Sequence, residues 1–170
     1  MNTKVLKLTG AILIISLLFF VGITKNTKAS ENNLLHGYVQ KVPENFYGSW
    51  RVKAKRIETD SPENFKEKTI DLWNISLVNN VIKLSNPFSG DEAEININAA
   101  TEHSVEFTKT GKYNNKNLTD KVIILIEGDS FKGIDSLRLD TVSDVDGSIR
   151  KSVTAKYELK GERISGQSVK

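Results

Sequence analysis

The chain has 170 residues, 38% hydrophobic and 26% charged, with a formal charge of +3 from 24 Lys and Arg against 21 Asp and Glu. These values fit one globular domain and exclude a polytopic membrane protein, a collagen-like repeat and a mainly disordered chain. Four of the bases, Lys4, Lys7, Lys25 and Lys28, lie in the first thirty residues, where there is no acid; the rest of the chain sets 20 bases against 21 acids, net −1, with no basic block to attract nucleic acid.

From Leu8 to Thr24 no side chain is charged, and Leu, Ile and Phe dominate behind Lys4 and Lys7. This is the layout of a secretory signal peptide over residues 1–29, with Thr27-Lys28-Ala29-Ser30 placing a small residue before a cut after Ala29. An uncleaved anchor is the alternative, because a bilayer is spanned by roughly 17–25 apolar residues. Both readings export the remainder, to the periplasm or the extracellular space, and only a retained signal would leave it on a membrane. There is no Cys, so no disulfide or acylated cysteine holds the exported part, and its core must do so.

Residues 30–43 read as a flexible, polar lead-in and residues 44–170 as one domain dominated by period two. Trp50, Val52 and Ala54 alternate with Arg51, Lys53 and Lys55, and similar alternation recurs over 93–99, 103–108 and 153–160. Further runs lie at 70–77, 81–85, 121–127 and 134–140. Successive strand side chains point to opposite faces, so each alternating run offers one apolar and one wet face, as antiparallel sheets require. The run Val122-Ile-Ile-Leu-Ile126 is apolar on both faces, which points to a covered strand or a homo-oligomer contact. Turn chemistry separates the runs at Asn79-Asn80, 85–91, 110–117, Gly128-Asp129 and 144–147. The one credible helix start is Ser61-Pro62-Glu63-Asn64, good for two turns at most. Lacking crossover helices, the chain is predicted to be all-β. An eight-stranded antiparallel meander removes its edges by closing, so an up-and-down barrel is preferred to an open sheet or sandwich.

The segment Glu44-Asn-Phe-Tyr-Gly48-Ser-Trp50 resembles the opening strand of the lipocalins and the wider calycin group, whose G-x-W places an indole across the closed end of an eight-stranded barrel. Gly48 and Trp50 match that motif. The resemblance implies structural closure at these two residues and a cup that binds a small apolar or amphipathic molecule. Thr119-Asp120 partly matches a second motif of the family, with Lys121 where Tyr is expected. The family's C-terminal helix has no counterpart in the polar end of the chain, and avidin-like barrels, which lack it, are an equally open comparison.

Catalytic chemistry finds little support. Nucleophilic triads need a base beside Ser, Thr or Cys, and the only histidines are His36 and His103. Glu102 and His103 are neighbours that a strand would send to opposite faces, which disfavours a shared metal. Asp129, Asp135, Asp140, Asp144 and Asp146 form no recognisable pair, and Asp144-Val-Asp146-Gly147 reads as a turn and not a calcium loop. No catalytic residue, cofactor or metal is therefore expected. Inward alanines, Ala54, Ala93, Ala99 and Ala155, leave room in the lumen, with Trp73, Phe107 and Tyr157 as candidate lining residues and Arg138 as a polar group near the rim. A non-enzymatic envelope module with a filled barrel is the alternative reading.

Overall fold

The alternating runs form eight strands in the computed structural model, which describes residues 41–166: β1 (Gly48–Thr59), β2 (Lys68–Val78), β3 (Val81–Asn86), β4 (Asp91–Ala100), β5 (Ser104–Tyr113), β6 (Lys116–Glu127), β7 (Ser130–Val142) and β8 (Ile149–Ser165). The signal segment 1–29 and most of the 30–43 lead-in lie outside the described residues. Among those described, no helix is long and apolar enough to cross a membrane. Every strand pairs antiparallel with the next, and β8 pairs with β1, so the meander closes into an eight-stranded barrel. Closure leaves no edge to template aggregation.

The alternation sets which side chains point inward. In β6, Asp120, Val122, Ile124 and Ile126 are buried while Lys121, Ile123, Leu125 and Glu127 face water. The two-faced apolar run is thus a barrel wall whose outer face keeps two aliphatic residues exposed. Asn79 and Asn80 take φ of 52° and 63°, the left-handed pair that a two-residue hairpin demands and that Asn tolerates best among non-glycine residues.

Three local expectations are corrected. The segment 110–117 is mostly strand, because Thr110, Gly111 and Lys112 stay in register with Thr119, Leu118 and Asn117; only Asn114 and Asn115 make the turn. Ser61 starts no helix. Its carbonyl accepts from the Asn64 N–H at 3.0 Å and its hydroxyl from the Asn64 amide at 2.6 Å, a side-chain competition that closes one turn. The one helical turn among the described residues is instead a 3-10 turn, Glu44–Phe46. Ala99 faces out, because a bulge between Ile97 and Ala99 shifts the alternation by one residue and buries Ala100 in its place.

Gly48 and Trp50 stand at the end of the barrel where β1 begins, and that end is shut. Trp50 is fully buried, donates its indole N–H to the Phe46 carbonyl at 3.1 Å, and meets the Phe131 ring edge-on at 5.1 Å. The Arg163 guanidinium lies 4.0 Å over the indole, pairs with Asp129 at 3.0 Å, and donates to the carbonyls of Tyr47 and Asn45. These contacts tie the last strand to the 3-10 turn that plugs the end. Phe46, Phe107, Trp73 and Phe131 continue the packing inward, with ring centroids 5.8 to 6.2 Å apart.

Candidate functional site

Besides the half-buried Asp71 of β2 and Arg163 at the closed end, three charged side chains occupy the apolar phase of their strands. Lys109 follows Val105 and Phe107 inward on β5, Asp120 precedes Val122 on β6, and Asp135 precedes Leu137 on β7. Antiparallel pairing sets Lys109 opposite Asp120, and it sets Asp135 opposite Val122, one diagonal step from Asp120. Their exposures are 6%, 2% and 8%, so all three charges are inside the barrel.

Lys109 Nζ pairs with Asp120 Oδ2 at 2.8 Å and sits 6.0 Å from the centre of the Trp73 ring. The remaining buried oxygens, Asp120 Oδ1 and Asp135 Oδ1, accept no hydrogen bond within the protein. Burial pushes the Lys109 pKa down, but the carboxylates of Asp120, Asp135 and Asp71 outweigh it and hold the ammonium above its ordinary value. For Asp135, burial comes first and the neighbouring Asp120 charge adds to it, while Lys109 opposes both only in part; its pKa stands well above the usual carboxylate range.

A cavity of about 40 Å³ adjoins this cluster. Its apolar wall is Val52, Ala54, Trp73, Leu118, Leu137 and Leu159, and its polar wall is Thr69, Asp71, Lys109, Asp120 and Asp135. That is room for about three water-sized groups. Asp71 is engaged, accepting from the Asn86 side chain and the Leu72 N–H.

The cavity lies toward the end opposite Trp50, and the β1–β2 connection, residues 60–67, crosses that end as a flap. Phe65 is buried in the core, and the inward Tyr157 donates its hydroxyl to the Lys66 carbonyl at 2.8 Å. Arg56 donates to the carbonyls of Pro62 and Phe65, and Asp60 accepts from the N–H of Thr154 at 2.8 Å.

Of the residues that the sequence marks for the lumen, Trp73 lines the cavity. Phe107 is buried toward the closed end between Phe46 and Trp73, and Tyr157 holds the flap. Arg138 stands on the outer face with a side chain 54% exposed, bound to Asp140 at 2.9 Å and to Ser152 at 3.0 Å, because the residues inward of β7 are 135, 137 and 139. Sequence reasoning missed Lys109, Asp120 and Asp135 as a set; a charge in the apolar phase of an alternating run was a visible signal for Lys109 and Asp135, but not for Asp120, which leads into a run apolar on both faces. Among the described residues no group of three His, Cys, Asp or Glu side chains is arranged to hold a metal. No family model, no curated protein and no solved structure matches the chain.

Proposed function

We propose that the protein is an exported, non-catalytic binding protein for a small amphipathic molecule, lipocalin-like in its mode of use. The polar end of the ligand sits against Lys109, Asp120 and Asp135, and its apolar body lies between the cavity walls and a displaced flap 60–67. One observation carries this reading: charges buried in the lumen beside a cavity, two of their oxygens without a partner in the protein. Burying charge is costly, and a lumen that only had to be filled is filled more stably by aliphatic side chains. Groups held at such a cost mark working sites more often than structural ones. Apolar lining then supplies affinity by excluding water, and the polar groups supply orientation.

Native mass spectrometry of the protein purified from its own source tests the reading. An added small-molecule mass that disappears on unfolding is the expected result; a bare monomer in repeated preparations counts against it. Trp73 lines the cavity, so occupancy should also change indole emission.

The small size of the cavity favours a second reading, a cell-envelope interaction module with a filled barrel. Its working surface would be the outer face of β6 and β7, where Ile123 and Leu125 are exposed and Ile123 pairs with Ile134. Sedimentation tests it: under this reading the protein self-associates and Ile123→Lys abolishes the association, and a monomer in both cases overturns it.

A further inference from the structure

The lumen reading says that something polar meets the cluster, and the arrangement of atoms says of what charge. We propose that the head group bound there is a small primary ammonium, held by the carboxyls of Asp120 and Asp135, whose buried Oδ1 atoms turn toward it when it enters. This inference rests on the proposed lumen binding and adds the chemical class of the ligand.

The charge inside this part of the barrel is mostly negative. Asp71, Asp120 and Asp135 line the cavity against a single cation, Lys109. That cation is already matched by Asp120 Oδ2 at 2.8 Å, so it has little attraction left for an anion. With both carboxyls ionised, the two buried oxygens without a partner are acceptors only. A carboxylate or phosphate entering the cavity would meet them lone pair to lone pair; a hydroxyl could satisfy one of them. An ammonium brings three donors and the missing positive charge, and it forms charge-assisted bonds stronger than neutral ones. Room for about three water-sized groups admits –CH₂–NH₃⁺, and a quaternary ammonium, having no N–H, could satisfy neither oxygen.

The same geometry makes binding depend on pH. The groups facing Asp135 are Lys109 from β5, Asp120 from β6 and Tyr157 from β8, and burial favours its protonated form. A bound ammonium needs that carboxyl ionised, so proton and ligand compete, and affinity rises with pH until Asp135 is fully ionised in the free protein.

Calorimetric titration with n-butylammonium, n-butanol and butyrate at pH 7.5 decides the matter. The amine is expected to bind at least about tenfold more tightly than the alcohol, as a hydrogen bond to a charged group implies, with butyrate the weakest. Asp135→Asn should remove that preference while leaving affinity for the alcohol in place, and acidification should weaken only the amine. If Asp135→Asn does not fold, as judged by circular dichroism, Asp120→Asn and the pH series on the native protein carry the same comparison. Equal affinity for amine and alcohol, or tighter binding of butyrate, overturns the ammonium assignment and leaves lumen binding standing. Silence of all three probes at millimolar concentration overturns both.

Discussion

Trp50 anchors the closed end, since it is fully buried, bonded to the Phe46 carbonyl and covered by Arg163. Trp50→Ala removes a large ring from a packed site, which is expected to lower the unfolding free energy by about 3 to 5 kcal/mol; the urea midpoint reads this, and a loss below about 1 kcal/mol would place the closure elsewhere. Gly161 works by being small. The Phe131 ring occupies the space where a Cβ at this position would stand, and that ring in turn packs on Trp50 and Trp73. Gly161→Ala forces the ring aside, an overpacking that typically costs about 1 to 3 kcal/mol. The near-ultraviolet dichroism of the aromatic cluster should change with it.

At the scale of strands and connections, what the amino-acid order reveals depends on how local the cause is. Asn79-Asn80 was legible because the turn's left-handed backbone is a property of two residues. The bulge that turns Ala99 outward was not, because an unpaired residue arises from how β4 meets β5, which no short pattern encodes. Alternation alone assigns Arg138 to the outer face, in step with Asp140 and not with Leu137 and Leu139. The charges at 109 and 135 were visible as apolar-phase anomalies, whereas Asp120 leads into a run apolar on both faces; the convergence of the three follows from the registers of β5, β6 and β7. The flap was legible as a break in pattern and not as a cover, since its anchors, Arg56 and Tyr157, come from strands β1 and β8. Tyr157→Phe removes the hydroxyl that holds Lys66, at an expected cost of about 0.5 to 1.5 kcal/mol. Amides in 60–67 should exchange with solvent faster in this variant, while those at the Trp50 end should not change. Uniform acceleration over the barrel would mean that the connection is not a separable flap.

For the molecule as a whole, the two ends of the barrel divide the labour: one is locked by aromatic packing, and the other holds buried charge under a flap. That division predicts an unusual stability profile with pH. Glu63, Glu106, Asp140 and Glu162 are held below their ordinary pKa, first by hydrogen bonds from Ser61, Lys121, Ser152 and Lys53, so what they contribute is present above the ordinary carboxylate range and lost in acid. Asp135 has the opposite sign. Its folded-state pKa is raised above the unfolded value, so the folded protein holds the proton more tightly, and this contribution is present below the unfolded value and lost as pH rises through the folded one. Lys109, held above its ordinary value, loses its contribution only in strong base. Stability should therefore peak in mild acid and decline toward neutrality. Denaturant midpoints of the native chain and of Asp135→Asn, measured from pH 4 to pH 9, isolate the buried carboxyl: the variant should gain on the native protein steadily with pH and level off once Asp135 is ionised in the folded state. Parallel curves would mean that Asp135 feels neither burial nor Asp120. A saturating primary amine should shrink the gap by stabilising the native protein more than the variant, because a ligand bound to the ionised carboxylate offsets the cost that the variant avoids.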